Sequence, residues 1–254
     1  MKKKIRIMPC LDMRNGRVVK GVQFVDIKDA GDPVGISIAY CEAGADEIAL
    51  LDINATLEGR ATTLDVVRRV ADAVSVPFTV GGGVTDCRSA EAVLRAGADR
   101  ISTSSAAFRN PSVIKEMIQE FGQNRITVAI DAAVNDLLPS GYEVFIDGGR
   151  TATGTDVIEW AKQISDFGAT TILPTSKSND GVRTGYDLPL IQKICAVTDA
   201  DVVASGGAGT LEHFYEAASA GATVLLAASV FHFGIIRIPD LKAYLGEQGF
   251  SVSY

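Results

Sequence analysis

Two hydrophobic patterns alternate along the whole chain. Short, nearly continuous apolar runs rich in valine and isoleucine fall at 5–11, 47–51, 76–80, 100–103, 126–130, 171–174, 201–204 and 223–227. Between them, at 63–74, 88–96, 112–121, 156–167, 188–197 and 211–220, apolar residues return every three or four positions. The first pattern predicts strands and the second amphipathic helices. Strands apolar along their whole length, each followed by a helix, belong to a parallel sheet covered on both faces. Eight such strand–helix units are present over 254 residues. A closed (β/α)8 TIM barrel needs roughly 250. The expectation is therefore an α/β fold, one (β/α)8 barrel domain spanning 1–254, since no segment reads as a linker. A doubly wound open sheet is the alternative.

The chain also repeats itself. Helical segments end in a glycine–alanine turn at Gly44-Ala45, Gly97-Ala98, Gly168-Ala169 and Gly221-Ala222. Glycine just past a helix end accommodates the left-handed cap. The two halves correspond further. Asp12 ends the first strand and Asp131 the fifth; Gly81–Gly83 follow the third and Gly206–Gly209 the seventh. Ser104-Ser105-Ala106 follow the fourth strand, and Ala228-Ser229-Val230 the eighth. Two halves that each carry an acid, a glycine loop and a serine loop predict a duplicated half-barrel.

Charge and composition narrow the function classes. A formal net charge of −7 argues against a nucleic-acid surface. The one basic run, Lys2–Lys4, has no apolar segment behind it and reads as a solvated tail rather than a signal peptide. No stretch approaches the roughly 20 apolar residues of a membrane span. Cys10, Cys41, Cys87 and Cys195 are scattered without metal-ligand spacing and read as small buried hydrophobes of a reducing compartment. With only His213 and His232 present, no histidine-based metal site is expected. A cytoplasmic location follows as the expectation.

Barrel chemistry sits just past the C-terminal ends of the strands. There the two glycine loops open into helix starts, where bare N–H groups and the helix dipole favour anions. Paired in matching halves, they suggest the two ends of a bisphosphate. Tight strand–helix packing is the other reading. Asp12 and Asp131, on equivalent strands, suggest acid–base work, with one pKa raised by burial or by the other's charge. Residues 13–31 read as a long polar lid loop carrying Lys20 as a phosphate contact, and 132–154 as a β-hairpin.

Taken in order, "CLDMRNGRVVKG", "DAGDP", "LLDINAT", "PFTVGGGV", "VAIDA", "DGVRTGYD", "ASGGAGTLEHF" and "LAASVFHF" resemble the cyclase-subunit (HisF) family of imidazole glycerol phosphate synthase over essentially the whole chain. The resemblance implies a cofactor-free lyase of histidine biosynthesis. Ammonia from a glutaminase partner at the N-terminal barrel face would pass through the barrel and attack phosphoribulosyl-formimino-aminoimidazole carboxamide ribonucleotide. Imidazole glycerol phosphate and aminoimidazole carboxamide ribonucleotide would result. Asp12 and Asp131 match the catalytic pair. Gly83, Ser104 and Ser105 match one phosphate site, and Asp180, Gly181, Gly207, Ala228 and Ser229 the other. Lys20 and Thr175 match further substrate contacts, and Arg6, Glu47 and Arg100 match the family's ammonia gate.

Four positions depart from that pattern: Ser104, Ser178 beside Lys177, Asn54, and Thr171 where the gate's fourth, acidic member is usual. Three gate charges are expected to pair less well than four, with Asp99 left as a docking contact for the glutaminase. A related phosphoribosyl isomerase, and an impaired or engineered scaffold of the same family, stand as alternatives.

Overall fold

In the computed structural model, residues 4–22, 25–53, 55, 58 and 62–254 are described, residues 20–22 and 25–30 by their backbone alone. Twelve strands follow in chain order: β1 (Arg6–Arg14), β2 (Arg17–Val22), β3 (Val25–Gly31), β4 (Ile48–Asp52), β5 (Phe78–Gly81), β6 (Arg100–Thr103), β7 (Ile126–Val134), β8 (Tyr142–Ile146), β9 (Thr151–Asp156), β10 (Thr171–Ser176), β11 (Asp201–Ala204) and β12 (Val224–Ala227). The eight apolar runs are β1, β4, β5, β6, β7, β10, β11 and β12, and they pair in that order, all parallel. Because β12 also pairs with β1, the sheet closes into a barrel, which excludes the open doubly wound sheet.

Alternation along each strand divides the side chains. Ile7, Leu11, Ile48, Leu50, Val128, Ile130, Ile172 and Leu225 face outward and pack under the helices in the main core. Met8, Cys10, Ala49, Leu173, Val203, Val224 and Leu226 form a separate, smaller apolar cluster. These are the intervening positions of the same strands, so this cluster fills the barrel's interior.

The strand that opens each half runs on beyond the barrel. β1 turns back through Asn15 and Gly16, both at positive φ (52° and 75°), so that Met13 faces Val18 and Arg14 faces Arg17. The expected long loop is thus corrected: β2 and β3 extend β1 as an antiparallel hairpin. Asn-Gly between two-residue partners is the strongest short hairpin signal, because both positions of a type I′ turn need positive φ. β7 continues likewise into the expected hairpin β8–β9.

The glycine–alanine turns are helix ends as predicted, with φ of 84°, 107°, 92° and 113° at Gly44, Gly97, Gly168 and Gly221. After two of them an aspartate ties down a neighbouring strand. Asp46 accepts from the Ile7 amide and Asp99 from the Phe78 amide, each at 2.8 Å. Asp46 also holds Lys242 at 2.9 Å, both side chains being under 10% exposed, which fixes the C-terminal helix Ile238–Glu247 beneath the barrel.

Breaking that pair should be expensive. Lys242→Met is expected to cost about 3–5 kcal/mol because it strands a buried carboxylate. Adding Asp46→Asn should restore part of the loss, read as midpoints of urea unfolding. A single variant within 1 kcal/mol of the parent would mean, on the scale of exposed pairs, that water reaches the pair.

Candidate functional site

Above the apolar layer the strands open into a cavity of about 150 Å³. Asp12 and Asp131 both line it, with Thr175, Asp180, Gly181, Gly207, Ala228 and Ser229. Eight residues singled out from sequence thus share one wall. Gly83, Ser104 and Ser105 do not line this cavity. Asn54 lies outside the described residues. Lys20 lies in β2, with its side chain outside what is described. Cys10, Ser205 and Arg183 line the cavity as well, and the sequence reading had not placed them there.

Strand registry puts the carboxylates where they are. Asp131 pairs across β7–β10 with Thr175 and across β7–β8 with Phe145. Asp12 stands two residues past Cys10, whose thiol donates to it at 3.7 Å. The Asp131 carboxyl is pushed up to about 6, first by burial and then by the negative charge of Asp180. Lys177 and the Gly149 amide oppose the rise. Lys177 is held for this role with its ammonium 3.6 Å from the centre of the Phe145 ring. A carboxyl near 6 can carry a proton at the site, which an ordinary aspartate cannot do near neutrality.

Both glycine loops owe their composition to backbone crowding. A Cβ on Gly82 would lie 2.1 Å from the Asp52 carbonyl oxygen, and one on Gly207 2.0 Å from that of Gly185. Neighbouring loops therefore pass in backbone contact, which only glycine permits. The helix starts behind the loops are not bare either. Asp86 caps Cys87–Arg95, and Ser89 accepts from the Thr85 and Asp86 amides. Thr210 caps Leu211–Ser219, and His213 Nδ1 accepts from the Gly209 and Thr210 amides. The expectation of open helix N-termini is corrected: side chains already satisfy those donors. By contrast, Ser104 and Ala228, which cap the short helices Ser105–Arg109 and Ser229–His232, make no side-chain capping bond. Ser105 is partly structural, its hydroxyl accepting from the Asp147 amide at 2.9 Å.

Ser178, where the sequence departs, is accommodated. Its hydroxyl meets Ser176 at 3.2 Å and donates to Asn179 at 3.0 Å. Ser176 in turn donates to Asp187 at 2.9 Å, which anchors the loop to the helix Leu188–Cys195.

At the opposite end of the strands Arg6, Glu47 and Arg100 do meet. Glu47 accepts from both arginines at 2.5 Å. The expectation of an unbalanced trio is corrected, because Arg6 also pairs with Asp201 at 2.5 Å. Asp201 opens β11, beside Thr171 in register, and holds Thr223 as well. Two cations and two anions thus alternate across the barrel floor. The signal was present: Asp201 has the same inward parity as Val203. Asp99, expected as a docking contact, already gives one carboxylate oxygen to the Phe78 amide. Among the described residues no cluster of three or more metal-ligating side chains occurs, and no helix is long and apolar enough to cross a membrane.

The profile of the family described as "Histidine biosynthesis protein" matches residues 6–237. Three curated relatives are each named imidazole glycerol phosphate synthase subunit HisF. The Pyrobaculum aerophilum protein is 51% identical over 250 residues, 98% of both chains. That of Clostridium botulinum is 50% identical over 97% of this chain and 98% of its own, and that of Thermobifida fusca 47% over 98% of both.

A raised carboxyl pKa costs stability in a defined direction. Between the unfolded value near 4 and about 6, the folded state holds the extra proton, so stability falls as pH rises through that window. Asp131→Asn removes the penalty. It should stabilise the protein at pH 7 by about 3 kcal/mol, raising Tm by roughly 6–12 °C. At pH 4 the gain should vanish. Melting curves at both values test this; an equal shift at both would remove burial of charge as its cause.

Proposed function

The chain belongs to the histidine biosynthesis protein family, among the HisF subunits of imidazole glycerol phosphate synthase, and we propose that it carries out the cyclase reaction at the mouth cavity through Asp131 as general acid and Asp12 as general base. The observation that carries this reading is the pair itself: two carboxyl groups from equivalent strands of the two half-barrels, lining one cavity, one of them raised to about 6.

The chemistry needs both states. Ammonia must lose protons as its nitrogen bonds to the formimino ribonucleotide, and a carbonyl oxygen must leave as water. The aminoimidazole nitrogen must also take up a proton as its bond breaks. A base and an acid facing one substrate serve these transfers, each contributing about 10²–10⁴-fold. The phosphate at one end is assigned to Ala228, Ser229, Gly207, Asp180 and Gly181, and the other to Gly83, Ser104 and Ser105. Support comes from the side-chain-free caps at Ser104 and Ala228, whose helix starts carry the backbone donors that the capped helices lack. Thr175 and Lys20 complete the assigned contacts.

A glutaminase subunit is assigned to the N-terminal face, over the ring of Arg6, Glu47, Arg100 and Asp201, with the complex working in the cytoplasm. Ammonia released there would cross the apolar interior of Met8, Ala49, Leu173 and Val203. Such a layer passes the neutral molecule, while desolvation holds back ammonium.

A spectrophotometric assay of the chain with the formimino ribonucleotide and excess ammonium salt at mildly alkaline pH tests the reading. Ammonia-dependent loss of substrate with imidazole glycerol phosphate appearing is the expected result. Binding without turnover would point to a disabled member of the family. Asp12→Asn and Asp131→Asn should each remove most turnover, at least a hundredfold, with substrate affinity within a few-fold of the parent. If both variants still turned over, the acid–base assignment would be wrong.

The kcat/KM profile should show an ionisation near pH 6 from Asp131. Lys177→Met removes a cation that lowers this pKa and should move the ionisation upward. Asp180→Asn removes an anion that raises it and should move it downward.

A further inference from the structure

We propose that Arg183 is a phosphate ligand of the mouth cavity, gripping the substrate's phosphate beside Ser229. The inference rests on the cyclase reading for the identity of the substrate, and on the geometry of the second half-barrel for the residue.

Charge makes the first argument. Among the described residues, three carboxylates, Asp12, Asp131 and Asp180, line the cavity, and Arg183 is the one cation that lines it. Backbone amides and the hydroxyls of Ser205 and Ser229 add no charge. A phosphate dianion entering such a wall is drawn to the guanidinium, which matches phosphate oxygens in a bidentate fork.

Position makes the second. The Arg183 guanidinium already stands at the assigned phosphate position, its Nε donating to the Ser229 hydroxyl at 3.3 Å. The Phe233 ring lies 5.7 Å from the guanidinium carbon and parks the group at the rim without neutralising it. The side chain is otherwise exposed, so it turns to a ligand without breaking a buried contact.

Backbone makes the third. Arg183 holds φ at +63°, a region that L-residues other than glycine and asparagine seldom enter. The surroundings enforce it: the Arg183 carbonyl oxygen lies 2.2 Å from where a Cβ on Gly209 would be, and the Gly185 amide donates to the Gly207 carbonyl at 2.8 Å. Glycine would fit position 183 at no conformational cost. The chain keeps arginine there and bears the strain, as functional sites do.

Arg183→Gly and Arg183→Lys, compared with the parent, test the proposal. Calorimetric titration without ammonia reads binding of the formimino ribonucleotide and, separately, of inorganic phosphate. Steady-state assays with ammonium read KM and kcat. Arg183→Gly should melt at or above the parent temperature, because φ +63° suits glycine. It should bind both ligands roughly ten- to a hundredfold more weakly. Its KM should rise by a similar factor while kcat changes far less, and Arg183→Lys should recover part of the affinity. A glycine variant that binds both ligands as tightly as the parent overturns the proposal and leaves the cyclase reading standing. A parent that binds inorganic phosphate through Arg183 but never the ribonucleotide overturns the cyclase reading and keeps the ligand. A parent that binds neither overturns both.

Discussion

Everything at this site hangs on the parallel pairing of β7 with β10, six residues in register from Thr127–Thr171 to Ala132–Ser176. It joins the first two strands of the half-barrel begun by β7, while β6–β7 and β12–β1 join the two halves. Once the sheet is closed, a side-chain period of two leaves no freedom: every second residue of eight strands enters one narrow interior. The same registry that brings Asp131 level with Thr175 sets Leu173 into the apolar layer below and Thr171 at the floor. A slip of one residue would turn the acids into the helical layer and the isoleucines into the cavity.

The closed interior treats charge differently at its two ends. At the floor, Arg100, Glu47, Arg6 and Asp201 form a chain of alternating signs in which each guanidinium finds a carboxylate. At the mouth, among the described lining residues, three carboxylates face one exposed guanidinium, and Asp131 is pushed toward its protonated form. Mutual compensation makes the floor a structural closure. The mouth holds groups in states that the fold alone would not choose, and this is the usual mark of chemistry. The apolar plug of Met8, Ala49, Leu173 and Val203 keeps the two fields apart.

The two halves share a frame and differ at the cavity. Both halves keep a hairpin on their first strand, crowded glycine loops and a capping box, yet the mouth cavity draws on Gly207, Ala228 and Ser229 without their counterparts Gly83, Ser104 and Ser105. Glycine at 82 and 207 is required by carbonyls of the adjacent loop at 2.1 and 2.0 Å. His213 of the "LEHF" stretch is a capping residue, and Ser178 settles into the hydroxyl network of its loop.

Periodicity in the chain was enough for the eight barrel strands, the helices between them, the half-barrel repeat and the two facing acids, since each of these follows from local spacing and from the fold rule that chemistry sits at strand ends. Local spacing also contained the Asn15-Gly16 turn and the inward parity of Asp201, and both were legible had parity been followed to the strand ends. What no local pattern holds is distance between remote segments. Asp180 and Lys177 act on Asp131 from another strand's loop, Asp201 pairs with Arg6 across the barrel floor, and Arg183 reaches Ser229 across 46 positions. Burial, and with it the raised pKa and the charge balance of the cavity, exists only after closure, because a low dielectric is a property of the packed interior and not of any residue in it.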